Sequence, residues 1–207
     1  MSIHQPLAWS IVIAALLPSP AARATPCSQP NACDPACGQR CGGVELPSAV
    51  VLDGSKLCLN GLGLREATFL NVDVYLAGLY VTQRSRDGEQ LANSDTPKVM
   101  RLRFVRDVSQ SEMAEAISEG FERSAGAAYP KLKERIGRFT AALPKLKNGD
   151  TLTLSYRPQH GVEVNFGGKR LIEIPGQDFA AALFRIWLGS KPPNAGLRTG
   201  LLGGKCG

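Results

Sequence analysis

Arg65 is the residue whose type and position most directly indicate binding chemistry. It follows residues 61–64 (Gly-Leu-Gly-Leu) and precedes a strongly apolar segment, so its guanidinium is predicted to lie against a hydrophobic core. A buried guanidinium needs an anionic or carbonyl partner, and arginine holds a carboxylate through two parallel hydrogen bonds. From its local sequence alone, Arg65 is interpreted first as a structural ion pair or as a rim residue whose head lies in water, and the alternative is a contact to an anionic ligand.

Other kinds of site chemistry have little support in the sequence. Beyond residue 24 the chain has a single histidine, His160, in a turn at residues 158–161, which is typical of a solvated surface residue. No nucleophile in a recognisable setting accompanies it, so we predict neither a hydrolase triad nor a histidine metal site. Gly61 and Gly63 do not indicate a dinucleotide site, because the third glycine is missing and a strand follows. We expect no metal and no cofactor.

Six cysteines are the second chemical feature of the chain, and four of them crowd into residues 27–41. They are Cys27, Cys33, Cys37, Cys41, Cys58 and Cys206. The prolines and glycines around the first four predict no regular element there. Disulfides are favoured over a metal site, because the spacing lacks the close cysteine pairs of zinc and iron–sulfur sites. We expect Cys58 to pair with Cys206 and the other four to pair among themselves.

The N-terminal segment favours export. Residues 7–17 are apolar and uncharged, and Pro18, Pro20 and then Ala22-Arg23-Ala24 follow, as in a signal peptide and its cleavage site. Eleven apolar residues are too few for the roughly 20 that span a bilayer. We expect cleavage after Ala24 and a periplasmic or secreted protein without an integral membrane span, in a compartment that permits disulfides.

The charge distribution argues against nucleic acid as a partner. The net charge of +6 becomes +5 once residues 1–24 are removed, because Arg23 is the one charged residue among them. Basic residues such as Lys131 and Lys145 are interleaved with acids and aliphatic residues, without the basic run and alternating aromatics of single-strand binders. A solvated helix face is the favoured interpretation.

Alternating residue types predict a sheet. Residues 49–52 and 56–60 flank the hairpin turn Asp53-Gly54, and residues 151–156, 161–166 and 170–174 form a meander. Residues 69–82 alternate in polarity, which predicts a half-buried central strand. Residues 99–106 alternate more cleanly, with an inward set of Met100, Leu102 and Phe104 and an outward set of Arg101 and Arg103.

The segments between and after the predicted strands show the periodicity of helices. Ser109 and Glu112 form a capping box for a helix to about residue 124, and a second helix is predicted over residues 130–142. Asp178 is predicted to cap a third helix over residues 179–188, and a fourth covers residues 194–202. The order predicts an α+β fold with helices packed on one antiparallel sheet. We divide the chain into residues 1–24, a cysteine-rich leader at 25–43 and one domain at 44–204.

The order of several short motifs resembles a known family. The motifs are residues 61–65 (Gly-Leu-Gly-Leu-Arg), 74–81 (Val-Tyr-Leu-Ala-Gly-Leu-Tyr-Val), 103–107 (Arg-Phe-Val-Arg-Asp), 184–189 (Phe-Arg-Ile-Trp-Leu-Gly) and 201–203 (Leu-Leu-Gly). Together they resemble the bacterial branch of the chalcone isomerase-like proteins. The resemblance implies an open-faced β-sandwich, an antiparallel sheet covered on one side by helices.

The resemblance also implies a site. Enzymes of the family cyclise a chalcone to a flavanone, with an arginine matching Arg65 stabilising the developing enolate, and non-catalytic members hold a fatty-acid carboxylate with that arginine. Tyr129 matches a family tyrosine that contacts the ligand. Tyr75 replaces a threonine of the long strand, and Ile186 replaces a threonine of a later helix. The implied ligand-binding set is Arg65, Tyr75, Tyr129 and Ile186, a pocket that kept its cation and lost polar groups.

Three functional hypotheses follow. The leading one is an exported, non-catalytic protein that binds a fatty acid or similar apolar carboxylate between sheet and helices. The second is an intramolecular lyase or isomerase acting on chalcone-like enones, with Arg65 and Tyr129 as its catalytic residues. The third is a structural or partner-binding envelope protein that makes its contact through residues 25–43.

Overall fold

The chain folds into nine strands and five helices within the residues that the computed structural model describes, which are Met1, residues 33–34, 37–67 and 72–206. The predicted signal peptide after Met1, Cys27 and residues 69–71 of the predicted long strand lie outside them. The strands are β1 (Gly38–Cys41), β2 (Val44–Pro47), β3 (Ala49–Leu52), β4 (Ser55–Ala67), β5 (Val72–Val81), β6 (Lys98–Phe104), β7 (Thr151–Arg157), β8 (Gly161–Phe166) and β9 (Lys169–Ile174). The helices are α1 (Gly88–Asn93), α2 (Gln110–Ala125), α3 (Tyr129–Ala141), α4 (Gln177–Leu188) and α5 (Ala195–Leu201).

Strands β3 to β9 form one antiparallel sheet in which every strand pairs with its neighbours in sequence. Helices α2 and α3 are inserted between β6 and β7, and α4 and α5 follow the last strand. The helices share one apolar cluster with one face of the sheet. The predicted α+β fold, an open-faced β-sandwich, is confirmed.

Strand β6 shows how side chains divide between the two faces. Met100, Leu102 and Phe104 are buried in the cluster beneath the helices. Arg101 and Arg103 lie on the other face and are partly exposed. The inward and outward sets predicted for this strand are confirmed.

Strand β5 is buried on both faces, which corrects the prediction of a half-buried strand. Tyr75 and Leu79 belong to the cluster beneath the helices, whereas Leu76 and Tyr80 belong to a second apolar cluster. Strand β4 and the hairpin formed by β1 and β2 build this second cluster, to which Leu46 contributes. Because the hairpin covers this half of the sheet, both parities of β5 find apolar neighbours.

The cysteine-rich leader contains a regular element, contrary to the sequence-based expectation. Residues 38–41 form β1, which pairs with β2 in a tight antiparallel hairpin. The glycines that argued against a strand lie where the hairpin turns, at Gly42 and Gly43, both of which have positive φ. They therefore end β1 without preventing it.

The disulfide pairing differs from the pairing expected from the sequence. Cys33 pairs with Cys58, and Cys41 pairs with Cys206, so the expected Cys58–Cys206 pairing is wrong. Cys37 is disulfide-bonded as well. The reason lies in α5, which crosses β4 and brings the C-terminal residues beside the hairpin. Cys33–Cys58 thus fixes the leader to β4, and Cys41–Cys206 fixes the hairpin to the C-terminal residues.

Gly61 and Gly63 allow α5 to pack directly on β4. A Cβ atom on Gly61 would lie 2.1 Å from the Gly200 carbonyl oxygen, and one on Gly63 would lie 2.2 Å from that of Leu197. These two glycines stay inside a strand that continues to Ala67, well past the predicted end at residue 60. Close backbone approach therefore explains the glycine pattern that resembles part of a nucleotide motif.

The helix boundaries are close to those predicted, with two exceptions. The capping box of Ser109 and Glu112 is present at the start of α2. Asp178 does not cap α4, because the helix begins at Gln177 and Asp178 lies within its first turn, where its carboxylate pairs with Arg135 at 2.5 Å. Helix α1 is an element that the sequence interpretation omitted. None of the described helices is both long and apolar enough to cross a membrane.

Candidate ligand-binding site

Arg65 and Tyr75 lie opposite each other across the β4–β5 pair. The register shifts by one residue just after Arg65, where the strand passes out of the sheet's buried centre. Tyr75 is buried beneath the helices, and the positive charge of Arg65 acts on its phenol. The pairing of β4 with β5 therefore places the Arg65 guanidinium and the Tyr75 hydroxyl close together at the edge of the apolar core.

Trp187 of α4 holds the Tyr75 phenol from the other side. Its indole Nε1 donates a hydrogen bond of 2.9 Å to the Tyr75 hydroxyl, and the Tyr75 ring packs against Phe104 at 5.4 Å between centroids. Burial raises the pKa of Tyr75, against the opposing effects of the Trp187 hydrogen bond and the Arg65 charge. The phenol is therefore neutral near pH 7, and its own hydrogen is available for an acceptor.

Arg65 carries a charge that no carboxylate neutralises within the described residues. Its Nη1 donates to the backbone carbonyl of Glu66, its immediate neighbour. No ion pair joins its guanidinium to any described acidic side chain within 4.0 Å. Arg65 is not part of a structural ion pair among the described residues, and it is half-buried rather than a fully exposed rim residue. Neither structural interpretation from the sequence therefore describes it fully.

A cavity of about 140 Å³ opens beside these groups, between the sheet and helices α2 and α4. Its apolar wall comes mainly from Met113 and Ile117 of α2 and from Ile186 and Trp187 of α4. These four side chains are buried, as expected for a lining inside the core. The cavity is therefore apolar in its depth and has Arg65 and Tyr75 on the strand side.

The rim of the cavity carries two ion pairs. Arg106 lies 3.8 Å from Glu112, and Arg123 lies 3.5 Å from Glu119 one helical turn away. The pKa of Glu112 is lowered, first by the hydrogen bond from the Ser109 backbone of the capping box. Arg106 and Arg123 each pair with a carboxylate at the rim. Among the described residues that line the cavity, Arg65 is therefore the arginine whose charge is available to an anionic ligand.

The structure brings together three of the four residues of the predicted ligand set. Arg65, Tyr75 and Ile186 line one cavity, whereas Tyr129 does not. Tyr129 is the first residue of α3, is partly exposed, and donates from its hydroxyl to Glu122 at 3.0 Å. Its place at the outer end of the α2–α3 connection explains why it does not reach the cavity.

Trp187 and Met113 are lining residues that sequence reasoning did not assign to the site. Trp187 is a buried core residue, and its indole also orients the Tyr75 phenol. Met113 lies on the buried face of α2. The adjacency of Trp187 to Ile186 was the one local signal that could have included it.

A larger cleft of about 560 Å³ lies elsewhere, beside the hairpin and the C-terminal residues. Its charged lining includes Arg40, which pairs with Glu45 at 2.8 Å, and Arg84, whose Nε donates to the Leu59 carbonyl. None of the predicted site residues lines it apart from Cys206. The cleft is open and more polar than the cavity, and two of its three arginines, Arg40 and Arg84, already have partners, so we do not place the site there.

The fold and the cavity define an open-faced β-sandwich with an internal apolar pocket. The chain belongs to the chalcone isomerase-like family, which it matches over residues 38–203. Among solved structures, it is similar to a fatty-acid binding protein of Arabidopsis thaliana, with a TM-score of 0.65 and 20% identity over 77% of this chain and 92% of that one. No curated protein sequence gives a significant match.

Proposed function

We propose that the protein binds an apolar carboxylate, such as a fatty acid, with the carboxylate on Arg65 and Tyr75 and the chain in the cavity between sheet and helices. The observation that carries this proposal is that Arg65, beside an apolar cavity, forms no ion pair with a carboxylate of the described residues. A guanidinium without an anionic partner at the edge of a core gains the most from a ligand that supplies one.

Tyr75 adds a second contact of the right kind. Its neutral phenol donates one hydrogen bond, which a carboxylate accepts and a protonated amine does not. The Trp187 indole already donates a hydrogen bond to the hydroxyl oxygen, so the phenol's own hydrogen points away from the indole. Together the two residues favour an anionic acceptor over a cationic or purely apolar ligand.

The fatty-acid binding protein of Arabidopsis thaliana supports a binding role for this fold. An isomerase function has less support, because a chalcone contains two aromatic rings and the cavity measures about 140 Å³, below the range of roughly 300–1,000 Å³ for drug-sized ligands. We therefore favour binding without catalysis in this protein.

We also propose that the protein is exported, as the N-terminal segment predicts. The disulfides Cys33–Cys58 and Cys41–Cys206 support this, because such bonds persist in oxidising compartments and are rare in the cytosol. Fusing a reporter enzyme that is active only outside the cytosol to the C-terminus would test the proposal, and a reporter that is inactive with the natural N-terminus would contradict it.

Binding is tested by titrating the purified protein with hexanoate and with hexanol, followed by calorimetry. We expect hexanoate to bind more tightly than hexanol, and Arg65→Met to reduce hexanoate affinity by tenfold or more while leaving hexanol unchanged. Arg138→Met, on the exposed face of α3, is the matched control and should bind as the unaltered protein does. Equal binding of acid and alcohol would contradict the proposal.

A further inference from the structure

Helices α2 and α4 touch beside the cavity, at Gly120 and Ile186. Gly120 of α2 lies so close to Ile186 that a Cβ atom on the glycine would sit 2.7 Å from Ile186 Cγ2. Ile186 is also a lining residue of the cavity, whereas Gly120 is not. The isoleucine side chain therefore forms the cavity wall where the two helices meet.

Three aromatic rings fill the core next to Gly120. Phe121 follows Gly120 directly, and its ring lies 5.1 Å from that of Phe179 and 6.4 Å from that of Phe139, measured between centroids. All three rings are fully buried, and none of them lines the cavity. A ligand chain longer than the cavity would have to displace packed side chains of this core.

We propose that the site accepts short-chain carboxylates and that Ile186 sets the length limit. A cavity of about 140 Å³ is close in size to the cavity of roughly 150 Å³ that binds one benzene molecule, which has six carbon atoms. With the carboxylate on Arg65 and Tyr75, the buried chain therefore extends over about five carbon atoms. This inference rests on the proposed function and narrows its ligand class.

The energetics of chain burial give the expected response. Each methylene that enters the cavity contributes about fourfold in affinity, and a methylene that stays in water contributes nothing. A longer chain gains no further affinity unless its end displaces packed side chains, which costs more than it gains. Affinity should therefore rise with chain length to about hexanoate and then level off or fall.

The test is a series of straight-chain acids from butanoate to hexadecanoate, titrated into the protein and into Ile186→Ala. We expect the affinity of the unaltered protein to stop rising near hexanoate, and Ile186→Ala to move the optimum longer by two or more carbons. Leu154→Ala, which removes a similar volume from the core at β7, away from the cavity, is the control and should keep the original optimum. Equally steep gains up to hexadecanoate, or an unshifted optimum in Ile186→Ala, would overturn the length limit.

Failure of the proposed function would give a different result. If no acid of the series binds, or if Arg65→Met leaves acid binding unchanged, the carboxylate site itself is wrong. If the acids bind through Arg65 but without a length limit, only the role of Ile186 is wrong.

Discussion

Trp187 donates its indole hydrogen to the hydroxyl of Tyr75 at 2.9 Å, deep in the contact between α4 and β5. The bond fixes which side of the hydroxyl is occupied by a donor, and therefore where the phenol's own hydrogen can point. Arg65 lies across the strand pair from the same phenol. A helix and two strands thus position the Tyr75 hydroxyl, whose own hydrogen is the one that the proposed carboxylate ligand would accept.

Replacing Trp187 by Phe should weaken carboxylate binding more than alcohol binding. Without the indole donor the Tyr75 hydroxyl loses its fixed orientation, and we expect hexanoate affinity to fall roughly three- to tenfold while hexanol affinity stays nearly constant. The double variant Tyr75→Phe, Trp187→Phe should bind hexanoate no more weakly than Tyr75→Phe alone, because both changes act on one donor. Equal losses for acid and alcohol would show that Trp187 contributes only packing.

Two glycine-to-alanine substitutions should change the free energy of unfolding in opposite directions. One is at the contact between α5 and β4, and the other is on the exposed face of α3. Gly63→Ala should lower the free energy of unfolding by roughly 1–3 kcal/mol, since the new methyl group meets the backbone of Leu197 and the helix must move. Gly137→Ala, on the exposed face of α3 with no atom within 4 Å of the new Cβ, should raise it by roughly 0.5–1 kcal/mol. Urea unfolding of both variants measures the two changes, and a neutral Gly63→Ala would contradict the tight packing.

Stability should rise with pH in mildly alkaline solution because of Lys98. This lysine is buried, its Nζ donates to the Ser94 carbonyl, and it lies over the rings of Tyr156 and Phe184. Burial lowers its pKa to about 8 from 10.5, against the opposing charge of Asp95. Between about pH 8 and 10 the unfolded chain therefore holds a proton that the folded protein has released, so raising the pH favours folding.

We expect the free energy of unfolding to increase by roughly 1 kcal/mol from pH 8 to pH 9, measured by urea unfolding. Above pH 9 the tyrosines of the unfolded chain begin to ionise, and burial raises the pKa of Tyr75, Tyr80 and Tyr156 in the folded protein, which opposes the effect of Lys98. Lys98→Met should remove most of this increase, because no titrating amine remains at the site. Lys133→Met, on the exposed face of α3, serves as the comparison and should retain it. A Lys98→Met protein with an unchanged pH dependence would mean that other groups cause it.

The disulfide Cys41–Cys206 should stabilise the protein more than Cys33–Cys58 does. The first joins residues 165 apart in sequence and the second joins residues 25 apart, so the longer loop restricts the unfolded chain more, by about 1–2 kcal/mol. We expect the paired serine variant of the first bond to unfold at lower urea concentration than that of the second. The reverse order would show that native-state contacts around Cys58 dominate.

The sequence predicted those parts of the fold that depend on local pattern. Strand β6 and the capping box of Ser109 and Glu112 follow from residue order within a few positions, and both were correct. The second covered face of β5 was missed because it depends on the β1–β2 hairpin, which is distant in sequence. The disulfide pairs were missed for a related reason, since the path of α5 determines what Cys206 meets.

The candidate site was predictable in part. Arg65 was chosen from its position before an apolar segment, and the family resemblance added Tyr75 and Ile186, which the fold places around the same cavity. Tyr129 does not line the cavity because it lies at the outer end of the α2–α3 connection, where its hydroxyl donates to Glu122, and this position depends on how the two helices pack. The Gly120–Ile186 contact beside the cavity joins two helices that are distant in sequence, so no single segment reveals it.

The bond between Cys41 and Cys206 makes residues 41–206 a covalently closed ring. All seven strands of the main sheet and all five described helices lie inside this ring. A single backbone cut within it leaves one connected molecule, and fraying cannot begin from the C-terminal end of α5 as it does at a free chain end. For an exported protein, this topology would protect the helix that carries Trp187 and Ile186 from stepwise removal by carboxypeptidases.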